Sequence, residues 1–100
     1  VEQAAARWAF LERLAEERGW PERFVIALEQ ALIGGTDRGR YSDEADISTA
    51  SATNDFRRLL DVGLLSQRGR GRNIRYHPSD ALRRDVATAI DAATNRASRG

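Results

Sequence analysis

The 100-residue chain contains no cysteine, no methionine and no lysine, and only two prolines. Without cysteine there is no disulfide framework, no thiolate nucleophile and no cysteine metal site, a composition that suits the cytoplasm. No apolar run approaches the ~20 residues needed to span a bilayer, and no signal-peptide pattern opens the chain. His77 is the single histidine. It has no second histidine or suitably spaced acid beside it, so neither a metal site nor an acid–base pair is expected. Gly34-Gly35 follows a helical stripe instead of an apolar strand, and there is no lysine to complete a phosphate loop. Glu16-Glu17 sits on a polar helix face and shows no sign of acid–base catalysis. This chain is therefore not expected to be an enzyme or to hold a cofactor. It opens on Val1, which predicts a piece of a longer protein.

All sixteen basic residues are arginine, and the net charge is +1. The charge is unevenly spread: residues 63–77 hold Arg68, Arg70, Arg72 and Arg75 and no acid. A local basic block on a near-neutral chain points to a site, not to bulk attraction. Arginine also suits bidentate phosphate contacts. The length fits one compact domain, with a core thin enough that every element must contribute to it.

Ala4, Trp8, Leu11, Leu14 and Ala15 follow the 3.6-residue period and predict a helix over 2–18, ended by Gly19. Phe10 widens its apolar face. Pro21 fits the first turn of a second helix, whose stripe is Phe24, Val25, Leu28, Ala31 and Leu32. Residues 34–40 read as a polar loop, Tyr41 as the start of a very short strand, and Ser42 as the N-cap of a short helix. Ala45-Asp46-Ile47 is a tight turn. From Ser48 one helix runs to Val62, with Ala52, Phe56, Leu59 and Leu60 inward, and Gly63 ends it. Leu64 to Arg68 suits a strand, residues 69–73 a basic turn, and Ile74 to Tyr76 a return strand with Tyr76 as a core cap. Pro78 is expected to stop the hairpin. Ser79 then caps a last helix to about Arg96, with Leu82, Val86, Ala89, Ile90 and Ala93 as its stripe, and fraying is expected from Ala97 to Gly100.

The fold class this order predicts is mainly α with a small β-hairpin: a winged helix-turn-helix with additional N- and C-terminal helices. It forms a single domain over 1–100, with an extra helix in 1–20, the core in 21–77 and a last helix in 78–100. A helix in the major groove needs a rigid inner face and a hydrogen-bonding outer face. Ser48, Thr49, Thr53 and Asn54 are placed to meet bases or nearby phosphates. Arg57 and Arg58, with Arg68, Arg70 and Arg72 on the wing, are placed to meet the backbone. Gly69 and Gly71 would let the wing approach the duplex closely, and its arginines could enter a minor groove or clamp phosphates. The expected partner is double-stranded DNA.

The segment YSDEADISTASATNDFRRLLDVGLLSQRGRGRNIRY resembles the winged-helix segment at the C-terminal end of bacterial Fic-domain proteins. The features that carry the resemblance are Ile47-Ser48, Ala52-Thr53, Asp55-Phe56, Leu59, Gly63-Leu64-Leu65 and the Gly-Arg-Gly-Arg wing ending in Arg75-Tyr76. It covers about the middle third of the chain. It implies a regulatory DNA-binding part of a larger bacterial protein. One departure is Asp46, at a turn position usually held by glycine. The Fic catalytic motif runs His-Pro-Phe and ends in Gly-Asn-Gly, whereas this chain has His77-Pro78-Ser79 and no such glycine pair after it, so nucleotidyl transfer is not assigned to it. An enzyme of that family would lie before Val1.

A second reading stays open. Asp43, Glu44, Asp46 and Asp55 would repel phosphate, which favours a protein-interaction or dimerisation module that regulates a neighbouring enzymatic domain without binding DNA. Trp8 and Trp20 are core or interface anchors. The first and last helices carry alanine-rich apolar stripes, which pack on each other within one chain or across a two-fold axis as a homodimer.

Overall fold

The computed structural model describes residues 2–99. Five helices and one antiparallel hairpin follow in the order α1 (Glu2–Arg18), α2 (Arg23–Leu32), α3 (Arg38–Ala45), α4 (Thr49–Asp61), β1 (Leu65–Arg68), a 3-10 turn (Gly71–Asn73), β2 (Arg75–Pro78) and α5 (Asp80–Arg99). The expected architecture, mainly helical with a small hairpin, is the one observed.

Helix α2 is the hub. Phe24, Val25, Ala27, Leu28 and Ala31 are all buried, so the apolar stripe covers a little under half of its circumference. It touches α1, α3 and β2. Pro21 lies just before the cap residue Glu22, outside the first turn where it was expected, and its carbonyl accepts from the Phe24 N–H at 3.0 Å. Helix α1 contributes Leu11 and Ala15 to the core, whereas Ala4 is exposed. Arg7 of α1 donates two hydrogen bonds to Glu29 of α2, at 2.8 and 2.9 Å.

The sequence reading fails between residues 36 and 42, while the short helix it expects after Ser42 is present as the end of α3. Arg38, Gly39, Arg40 and Tyr41 are helical, not loop and strand. The cap is Asp37, whose carboxylate accepts from the Arg40 N–H at 2.9 Å. Ser42 is inside the helix and its hydroxyl donates back to the Gly39 carbonyl. Gly39 is a weak helix former, costing about 1 kcal/mol against alanine, and it misled the local reading. Burial of Tyr41, which is 0% exposed, offsets that cost. The strand-like residue is Thr36: it exchanges backbone hydrogen bonds of 3.0 and 2.8 Å with Tyr76 and so extends the hairpin on the β2 side.

The turn before α4 is as expected, and Asp46 takes the left-handed conformation (φ 55°) that the usual glycine would. The hairpin pairs Leu65 with Pro78 and Arg68 with Arg75. Pro78 is therefore its last paired residue, buried, instead of its stop. The missing proline N–H is tolerated at a strand end. Ser79 caps α5 by accepting from the Leu82 N–H at 3.1 Å. α5 continues to Arg99, past the expected end at Arg96; Gly100, within the segment expected to fray, lies outside the described residues. Leu82 and Val86 of α5 join the core, and the helix packs along α1. No described helix is long and apolar enough to cross a membrane.

Candidate nucleic-acid interface

Helix α4 begins at Ser48, whose hydroxyl accepts from the Ser51 N–H at 3.1 Å and lies 3.1 Å from the Ser51 hydroxyl. This cap fixes the first turn, and it commits the Ser48 side chain that the sequence offered to a base. Thr53 is also partly committed, because its hydroxyl donates to the Thr49 carbonyl at 2.9 Å. The residue is half-buried. Thr49, Asn54 and Arg57 are exposed, and Ala50 and Asp61 share that face. Arg58 is exposed but leans toward α2, with its guanidinium 5.2 Å from the centre of the Phe24 ring. It therefore sits on the flank of the helix, where a cation–π contact holds it.

The inner face of α4 holds a residue that the sequence reading placed on the wrong side. Asp55 is 3% exposed. It accepts from Arg23 of α2 at 2.7 and 3.0 Å and from the Tyr41 hydroxyl of α3 at 2.7 Å. This carboxylate does not face a polyanion. It is the point at which three helices are tied together. The signal was present: 52, 55, 56 and 59 follow the helical period without a gap, and Asp55 falls on the apolar stripe. Its polarity hid its position, and nothing local could name Arg23 or Tyr41 as its partners. Burial foremost, then the hydrogen bond to Asp55, pushes the Tyr41 phenol well above the usual tyrosine range. Asp43, Glu44 and Asp46 are exposed, as read.

Arg68, Arg70 and Arg72 are all exposed on the hairpin. Gly69 has φ +87°, and a Cβ there would lie 2.2 Å from the Asn73 carbonyl oxygen. The tip needs glycine to close on itself, not only to approach a ligand. Gly69→Ala should open the tip, since forcing a side chain into the left-handed region with a backbone clash costs of order 1–3 kcal/mol. Loss of amide protection confined to residues 68–75 in hydrogen exchange would show it; an unchanged pattern would contradict this account of the turn. At the hairpin base the His77 ring packs over Gly35, where a Cβ would come within 2.7 Å of it. Burial, then the fields of Arg68, Arg75 and Arg83, holds the His77 imidazole below the usual histidine range. Among the described residues no group of three or more acids, histidines or cysteines could hold a metal ion.

Helix and hairpin meet through aromatic rings. Phe56 of α4 stacks on Tyr76 of β2 with centroids 3.9 Å apart and planes 9° from parallel, and Tyr41 of α3 tilts against the same Phe56 at 5.1 Å. Burial raises the Tyr76 phenol, while the fields of Arg38 and Arg57 act against it. A helix, a tight turn, a second helix and a hairpin packed against it are now in place. The fold is a winged helix-turn-helix. Among solved structures this winged helix is similar to a MarR family protein from Bacillus stearothermophilus, at 18% identity and a TM-score of 0.60, over 91% of this chain and 69% of that one. At this identity the likeness speaks for the fold. No protein-family model matches the winged helix, and no curated protein is similar to it.

Proposed function

We propose that this chain is a DNA-binding module of regulatory type, with α4 laid in the major groove and the wing arginines on the flanking backbone. The observation that carries this reading is the joint presentation of two surfaces. A helix face on which Thr49, Asn54 and Arg57 are exposed and Thr53 is half-buried adjoins an arginine-tipped hairpin, while Asp55, one of the two acids on that helix, is turned inward and paired with Arg23; the other, Asp61, is exposed in the last turn. Thr49, Thr53 and Asn54 are the base-reading candidates, with Ser48 supporting them as a cap that contributes its backbone N-terminus to nearby phosphate. Arg57, Arg68, Arg70 and Arg72 meet phosphates, and Arg58 does so from the α2 flank. On this reading 1–100 is a single winged-helix domain. α1 and α5 form its extra layer and, with Trp8, Phe10, Leu14 and Ile90 only half-buried, supply the contact surface of a homodimer. The finer reading, a C-terminal part of a Fic-like bacterial protein, rests on the residue pattern from Tyr41 to Tyr76 alone.

The test is a titration of mixed-sequence duplex with the 100-residue chain between about 50 and 200 mM salt, where each neutralised phosphate adds about 0.9 to the log–log slope. Binding should weaken steeply with salt, and Arg57→Ala should weaken it further. No binding at the lowest salt would end this reading. The exposed Asp43, Glu44 and Asp46 favour the second reading, a protein-interaction module. That reading predicts a dimer by light scattering together with no shift of DNA.

A further inference from the structure

Between the first turn of α3 and the wing lies a cleft of about 360 Å³ lined by Asp37, Arg38, Gly39, Arg72, Asn73, Ile74 and Arg75. Neither Arg38 nor Arg75 belongs to the surface described above. Arg38, Arg72 and Arg75 line it around a single carboxylate, Asp37, which pairs with Arg75. That carboxylate is divided: one oxygen of Asp37 accepts from the Arg40 N–H at 2.9 Å, and the other lies 3.5 Å from Arg75. The ion pair is long and its two side chains are 47% and 43% exposed, the kind of contact that holds a side chain only weakly. Arg75 also reaches the Gly34 carbonyl, at a weak 3.4 Å. Such an arginine is free to turn to a stronger acceptor, and a phosphate offers paired, charge-assisted bonds that a single carboxylate oxygen does not. Uncompensated like charges brought together by two elements cost the unliganded protein, and an anion between them removes that cost.

We propose that this cleft is a second phosphate seat, taking a backbone phosphodiester of the duplex to one side of α4. The proposal rests on the duplex reading. The cleft lies between the first turn of α3 and the wing, the two elements that pack on either side of α4. Arg38 and Arg75 grip the phosphate oxygens, Asn73 adds an amide donor, and Asp37 releases Arg75 while keeping its cap on α3.

The full chain serves for the test, with duplex DNA and inorganic pyrophosphate as separate probes. Arg38→Ala and Arg75→Ala should each weaken duplex binding about 3- to 10-fold and lower the salt slope by about 1. Asp37→Asn keeps a capping side chain but removes the competing charge, so it should tighten binding about 3-fold, a gain that unfolding could not mimic. If the wild type binds duplex and these variants match it in affinity and slope, the seat is wrong while the α4 and wing reading stands. If the wild type binds no duplex, the DNA reading falls and pyrophosphate decides the seat. Saturable shifts of the Gly39 and Asn73 amides that Arg75→Ala abolishes support a site for free phosphate, and no shift overturns it.

Discussion

Asp55→Ala should destabilise the chain by about 3 kcal/mol, removing far more than a surface ion pair would. Breaking a buried pair by deleting one partner costs roughly 3–5 kcal/mol. The low end applies here because the Arg23 side chain is 38% exposed and regains water once released. Tyr41 has no such route. It is fully buried, and the cost of its stranded hydroxyl, about 1–3 kcal/mol, is part of that total. In a chain of this size the melting temperature should fall on the order of 15 °C. Tyr41→Phe, which leaves the Arg23–Asp55 pair intact, should cost about half as much. The two variants differ in alkali as well. The Tyr41 phenol is held above its unfolded value, so its contribution is complete below about pH 10 and is lost as pH rises beyond it. Tyr41→Phe should lack that alkaline loss. A melt of Asp55→Ala within a few degrees of wild type would mean that the three-helix tie does not hold α4 in place.

The second large effect concerns binding. Arg70→Ala combined with Arg72→Ala should lower affinity for duplex DNA on the order of 10- to 100-fold near physiological salt and reduce the salt slope by about 2. Both side chains are exposed, and neither has a hydrogen bond or ion pair among the described residues. Their removal therefore leaves the folded chain undisturbed, and the change can be read as lost phosphate contact. Fluorescence anisotropy of a labelled duplex at several salt concentrations gives both quantities. An affinity and slope equal to wild type would remove the wing from the interface.

Most of the fold was legible because its signals are local. The stripes of α1, α2, α4 and α5 repeat at the helical period, Ser48 and Ser79 cap the helices they were read to cap, and the glycine-rich tip falls between two short alternating runs. What escaped depends on partners distant in sequence. The first turn of helix α3 looks like a loop until Tyr41 is given a core to enter. Thr36 pairs with a residue forty positions away, and Pro78 belongs to a strand only because Leu65 lies opposite it. The interface follows the same division. The exposed arginines were visible as a run without acids, whereas the inward turn of Asp55, the loss of Ser48 to capping and the convergence of Arg38 with Arg75 exist only once the helices have packed.

The column of rings formed by Tyr41, Phe56 and Tyr76 couples α3, α4 and the hairpin through direct contact. With Phe56 clamped between two neighbours, the helix cannot roll against the sheet without unstacking both. The exposed face of α4 and the hairpin are thus geared as one rigid unit. If the chain binds DNA as the proposed dimer, a signal that loosened its hold would have little purchase on this unit's internal shape, and would act instead on the distance and tilt between two such units, through the long helices behind them.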